Sequence, residues 1–161
     1  MDTKLAIRRL APGDETVACA RLMSSSEPWI TLQRDFADSL GVFENPAYEV
    51  YVAEERDRLA GFIVINLKGD LAGYIKSICV APELRGSGIG AELMRFAEER
   101  IFREHPNVFL LSSSFNPRAR ALYERLGYRV VGEIADYIVR GHSEILMRKT
   151  LGPIREFLPG Q

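Results

Sequence analysis

Charge of one sign, cysteine, histidine and long apolar runs are all scarce in this chain, and each scarcity removes a class of function. Lys and Arg number 21 against 22 Asp and Glu, a formal net charge of −1. That balance gives no broad field for nucleic acid or a membrane surface, so any anion site must be local. The two cysteines, Cys19 and Cys79, and the two histidines fall at no metal-ligand spacing. No metal site is expected, and the cysteines read as reduced structural thiols rather than a disulfide framework. The start, Met1 to Arg9, is broken by charge too often for a secretory core, and no run approaches the ~20 apolar residues of a membrane span. A cytoplasmic protein with neither nucleic-acid nor membrane partners is the expectation. Internal repeats and low-complexity tracts are absent as well.

What is present is one domain's worth of core. The chain has 161 residues, 47% of them hydrophobic, enough for a single domain over 1–151 followed by a tail, 152–161. Leu5 and Ile7 suggest a first strand. Pro12-Gly13-Asp14 opens a helix with Val17, Ala20 and Met23 on its apolar face, which Ser24 to Pro28 ends. A second helix is expected from Thr31 to Leu40, facing inward through Leu32, Phe36 and Leu40 and stopping at Gly41. Val50–Ala53, Leu59–Leu67 and Leu71–Val80 read as three strands joined by short turns, an antiparallel meander. Ile89, Leu93, Phe96, Ala97 and Ile101 keep helical spacing in a helix that reaches Glu104. Asn107–Ser113 is then a strand, parallel to the last of the meander because a helix connects them. Asn116-Pro117 starts a short helix that Gly127 ends, and Tyr128–Tyr137 with Glu144–Thr150 forms a closing hairpin. The fold class is α/β (α+β), a mixed sheet of six to seven strands flanked by about four helices. In the tail, Ile154, Phe157 and Leu158 could pack on the domain or on a partner chain, as in a homodimer.

Arg85-Gly86-Ser87-Gly88-Ile89-Gly90 stands between a strand-like run and a helix, with three glycines in five positions. Glycine lets backbone approach a ligand, and a helix N-terminus offers unpaired N–H groups and a positive dipole end. The stretch reads as a phosphate seat, with Arg85 able to pair a second phosphate. A nucleoside-triphosphate loop would need Lys-Ser or Lys-Thr where Ala91-Glu92 stands. A dinucleotide fingerprint would want an acid about 20 positions on, where the chain reads Leu110-Leu111-Ser112-Ser113, and a place in the first strand–helix turn.

Val80-Ala81-Pro82-Glu83-Leu84-Arg85-Gly86-Ser87-Gly88-Ile89-Gly90 resembles the acyl-coenzyme A signature of the GNAT N-acetyltransferase superfamily. Asn116-Pro117-Arg118-Ala119-Arg120-Ala121-Leu122-Tyr123-Glu124-Arg125-Leu126-Gly127-Tyr128 resembles that superfamily's later motif, and the two together span about Gly73 to Tyr128. The resemblance implies a GNAT fold with acetyl-CoA as cosubstrate. It implies that backbone N–H groups at Arg85, Gly86, Ser87, Gly88, Ile89 and Gly90 take the pyrophosphate, and that backbone at Ile78, Cys79 and Val80 holds the pantetheine arm. Asn116, by itself a helix cap, would also touch that arm. Tyr123, by its spacing a core tyrosine on the stripe of Ala119, Leu122 and Leu126, becomes the candidate proton donor to the departing thiolate.

Direct attack by the amine in a ternary complex fits better than a covalent acetyl-cysteine, since Cys79 has no nearby histidine in sequence. Some relatives that acetylate protein N-termini carry a Glu on the strand before the second motif, where Val108 to Ser113 offers none. Water, Glu49, Glu54 or His142 are alternatives, and none is assigned. Glu27-Pro28-Trp29 and Asp136-Tyr137 resemble features of the ribosomal-protein-alanine N-acetyltransferase branch. Trp29 and Tyr137 are therefore the candidate acceptor-binding residues, and a protein or peptide N-terminal amine is the preferred acceptor. A small-molecule amine, or a non-catalytic acyl-CoA sensor, is the alternative.

Overall fold

The computed structural model describes residues 5–160, so the charged start at Met1 to Lys4 and the terminal Gln161 lie outside it. Seven strands and four helices follow one another as β1 (Ala6–Arg9), α1 (Asp14–Ser24), α2 (Phe36–Glu44), β2 (Glu49–Glu55), β3 (Arg58–Asn66), β4 (Tyr74–Val80), α3 (Ile89–Ile101), β5 (Asn107–Ser113), α4 (Pro117–Arg125), β6 (Arg129–Ala135) and β7 (Ser143–Thr150). They form the mixed α/β sheet expected, in the order β1-β2-β3-β4-β5-β7-β6. All neighbours are antiparallel except β4 and β5, which the α3 crossover makes parallel.

Alternation along β3 divides the interior into two layers. Ile63 and Ile65 face α3 with Leu93, Met94, Ala97 and Ile101, while Phe62 and Val64 face α1 and α2 with Met23, Val42 and Phe43. Along β4 that alternation is broken on purpose. Val64 pairs with Ser77 and Ile65 with Ile75, so Lys76 is an extra residue with no partner on β3, a β-bulge. The bulge explains why Ile75 and Cys79, four residues apart, belong to opposite layers.

Several boundaries differ from the sequence expectation. The second helix runs from Phe36 to Glu44 rather than Thr31 to Leu40. Gln33 takes φ 57°, and Asp35 caps the helix by accepting the Asp38 N–H at 2.9 Å while Asp38 accepts the Asp35 N–H at 3.3 Å. Its buried face is Ser39, Val42 and Phe43, whereas Phe36 is exposed. Gly41 lies inside this helix, and its cost of about 1 kcal/mol relative to Ala does not stop it. In α1 the buried stripe is Thr16, Cys19, Ala20 and Met23, with Val17 half-buried. Helix α3 ends at Ile101, three residues short of Glu104, β4 begins at Tyr74 rather than Leu71, and β6 ends at Ala135, which leaves Tyr137 in the loop to β7. In the tail Ile154 and Leu158 are exposed.

Candidate active site

The site begins where the sheet opens. Strands β4 and β5 share only two paired positions, Tyr74 with Phe109 and Ile75 with Leu110. Beyond the Lys76 bulge they diverge, while β5 stays paired with β7 at seven positions. The close end is set by Gly73, at φ 87°, where a Cβ would stand 2.3 Å from the Asn107 carbonyl oxygen. At the open end, the backbone of Ile78, Cys79 and Val80 is paired with β3 on one side only. An extended ligand arm can add itself there as a strand would.

Past Val80 the chain makes a short 3-10 turn, Pro82–Leu84, and reaches the glycine loop. Gly86 and Gly88 have φ of 82° and 91°, values natural to glycine, and Gly88 is the N-cap of α3. The Glu92 N–H is bonded to the Gly88 oxygen at 3.1 Å; the amides ahead of it in the first turn have no helical acceptor and are free for an anion. Ser87 Oγ donates to the Leu84 oxygen and tightens the loop. Arg85 folds back: its Nε donates to the Val80 oxygen at 3.2 Å and its Nη2 to Ser26 Oγ at 3.4 Å. The guanidinium beside the loop is that of Arg118, whose Nη2 would be 3.4 Å from a Cβ on Gly86. The sequence reading passed over Arg118, although it stands two residues after Asn116 at the start of α4.

Asn116 caps α4, its Oδ1 accepting the Ala119 N–H at 3.3 Å. Tyr123 lies two turns further along and is 8% exposed. Its ring meets that of Tyr128 edge-on at 6.1 Å. Burial first, and the nearby Cys79 thiol second, push its hydroxyl up to about 12, so it carries its proton throughout the neutral range. Cys79 is buried against the α1–α2 layer with its own pKa raised by burial, which disfavours a thiolate nucleophile.

These elements border a cleft of about 850 Å³. Ile78, Asn116 and Tyr123 line it, and so do Trp29 from the α1–α2 connection and Tyr137 from the β6–β7 loop. Trp29 is buried on Phe62 at 6.2 Å between ring centres, while Tyr137 is 57% exposed at the rim. The glycine loop, Cys79 and Val80 do not line the cleft. Of the bases weighed from the sequence, Glu49 is tied to Arg100 by bonds of 2.9 and 2.8 Å, and neither it, Glu54 nor His142 lines the cleft. Glu144 does. This second residue of β7 is 3% exposed and accepts from Ser113 Oγ at 2.8 Å. Burial raises its pKa above the usual carboxylate range, offset in part by the Ser113 hydrogen bond and by the charges of Arg34 and His142.

The family profile described as Acetyltransferase (GNAT) family matches residues 15–128. The chain belongs to this family. The family is one of acetyltransferases, and the divergent strands and glycine loop are the features of this chain that would suit acetyl-CoA as cosubstrate. An uncharacterized N-acetyltransferase of Methanocaldococcus jannaschii is 36% identical over 62% of this chain and 64% of its own length; the chain thus matches less than two thirds of that relative. A putative [ribosomal protein bS18]-alanine N-acetyltransferase of Bacillus subtilis is 29% identical over 94% of this chain and 99% of its own. Among solved structures, an aminoglycoside 6'-N-acetyltransferase complexed with coenzyme A superposes with a TM-score of 0.75 at 20% identity, over 92% of this chain and 98% of that one. Among the described residues no helix of this family member is long and apolar enough to cross a membrane, and no group of metal-ligating side chains is found.

Proposed function

We propose that this acetyltransferase acylates the N-terminal amine of a protein or peptide by direct attack in a ternary complex. One observation carries the reading: a buried carboxylate, Glu144, and a protonated phenol, Tyr123, line one cleft at the mouth of the diverging strands. Acetyl-CoA supplies the activated acyl group as a thioester. The backbone of Ile78, Cys79 and Val80, with Asn116, would hold its arm. The loop Arg85, Gly86, Ser87, Gly88, Ile89 and Gly90 would take its pyrophosphate, with Arg118 alongside. Trp29 and Tyr137 would flank the acceptor.

The protons then balance. The amine nitrogen forms the amide bond as the carbon–sulfur bond breaks, its surplus proton leaves toward Glu144 directly or through one water, and the Tyr123 hydroxyl delivers a proton to the sulfur. An α-amine, with a pKa of about 8, needs modest help near neutrality, whereas a lysine amine near 10.4 needs more. The long match to the B. subtilis relative supports the N-terminal acceptor. The second reading is a small-molecule amine, supported by the likeness to the aminoglycoside enzyme. A sensor without chemistry would have no need of Tyr123 and Glu144 in one cleft.

The test is mass spectrometry of a mixed panel incubated with acetyl-CoA: free-N-terminus peptides, N-blocked lysine peptides and polyamines. Acetylation confined to free N-termini is the expected result. Acetylated polyamines or lysines would move the acceptor, and CoA binding without any product would leave a sensor.

A further inference from the structure

Two half-buried cationic side chains line the cleft without an ion-pair partner among the described residues. Arg34 stands in the α1–α2 connection and Lys76 is the bulged residue of β4; both are half-buried and both line the cleft. Neither makes a side-chain hydrogen bond or an ion pair within 4 Å to any described residue. Elsewhere in the chain half-buried cations are matched: Arg100 is held by Glu49 and Glu104, and Lys149 by Glu98 at 2.8 Å. A cation withdrawn from water without a counter-ion is unfavourable, and such groups are ordinarily paired. Lys76 shows the cost, since desolvation first and the charge of Arg34 second lower its pKa.

The same Arg34 charge reaches Glu144 across the cleft. Glu27, Lys68 and Asp70 line the cleft as exposed side chains, and the charged side chains withdrawn from water in it are one buried carboxylate and two unpaired cations, the complement of an amine that has an anion beside it. We propose that the acceptor carries a carboxylate close to its reacting amine, and that Arg34 and Lys76 hold that carboxylate while the amine meets Glu144. This rests on the cleft being the acceptor site. A free amino acid and a peptide N-terminus followed by an acidic residue share this chemistry. Polyamines and aminoglycosides do not, and the two cations repel them.

The experiment uses three peptides that begin Ala-Glu, Ala-Gln and Ala-Lys and are otherwise identical, with free glutamate as the small-molecule arm. Initial rates with acetyl-CoA are read for the native protein and for Arg34→Gln and Lys76→Gln. A charge-assisted contact of ordinary strength predicts a KM for the Ala-Glu peptide about tenfold below that for Ala-Gln. In Arg34→Gln the ratio is expected to fall below about threefold, with the KM for acetyl-CoA unchanged. Equal KM values for Ala-Glu and Ala-Gln in the native protein, or a preference for Ala-Lys, would overturn the inference. Turnover of glutamate without any peptide would keep it and remove the N-terminal reading. If no amine is acetylated, quenching of Trp29 by succinate in the CoA-loaded protein decides: saturable quenching lost in Arg34→Gln supports the anion seat, and none in the native protein sinks it.

Discussion

Replacing Tyr123 with Phe removes one oxygen atom and little else, which makes it the cleanest probe of the chemistry. The ring is 8% exposed and keeps its edge contact with Tyr128. No hydrogen bond from the hydroxyl to a described residue is lost, so the stability change should stay within about 1 kcal/mol. A thiol leaving group with a pKa near that of cysteine, about 8.5, departs with moderate assistance, so the lower end of the general-acid range applies. A loss of about 100-fold in kcat is expected, or about 2.7 kcal/mol of transition-state stabilisation. The hydroxyl is held up at about 12, so native activity should show no alkaline limb from this group below about pH 11. Thiol release from acetyl-CoA measures the rate, and single-turnover runs separate chemistry from product release. The KM for acetyl-CoA should move less than about threefold. A kcat within twofold of native in single-turnover conditions would remove Tyr123 from the mechanism.

Glu144→Gln should lower kcat/KM by about 100-fold at neutral pH and remove an acid limb that, in the native protein, lies above the ordinary carboxylate range. Because burial raises the folded-state pKa of this group above its unfolded value, the folded chain binds the proton more tightly. Stability then falls as pH rises between the two values, and the Gln variant should melt no lower than native at pH 7; a clear drop in Tm would show that the ionised Ser113 contact dominates instead. Cys79→Ala should cost about 1 to 2 kcal/mol of stability for a side chain 5% exposed while turnover persists, and loss of turnover with CoA binding intact would restore an acetyl-cysteine route. Gly73→Ala should lower Tm by several degrees, because a Cβ would meet the Asn107 oxygen at 2.3 Å and Ile101 Cγ2 at 2.8 Å; unchanged melting would mean the β4–β5 junction yields more easily than its geometry suggests.

What could be read from the sequence was what local chemistry writes there. The glycine loop, the Asn116 cap and the stripe holding Tyr123 are each set within a dozen residues of chain. The meander is marked by turns, including the left-handed Arg56-Asp57 pair at φ 52° and 57°. The shift of α2 was also legible, because Asp35 and Asp38 stand at capping-box spacing; the apolar spacing of Leu32, Phe36 and Leu40 hid it. Glu144 and Arg34 were not legible as a pair, since β7 and the α1–α2 connection meet only through the finished sheet. A lone charge in the otherwise uncharged Tyr74–Val80 was the one trace left by Lys76. Glu144 left another, since it pairs in register with Ser113, but only the strand order β5-β7 turns that register into a contact.

The opening in the sheet is what makes the other features a site. A strand gap inside a core ordinarily closes, because unpaired backbone N–H and C=O groups are costly away from water. Here closure is opposed from three directions. The Lys76 bulge turns β4 away just where pairing with β5 stops. Strand β5 is fixed by seven antiparallel pairs with β7, and β4 is fixed on its other edge by β3. The gap can satisfy its backbone only with water or with a ligand that bonds as a strand does. Lys76, the residue at the bulge, lines the cleft as Glu144 does, so on the proposed reading one inserted residue would both open the arm-binding slot and supply a charge beside the acceptor. The residues that would hold acetyl-CoA and those that would select the amine are then not independent sets, and substitutions at the bulge should disturb both.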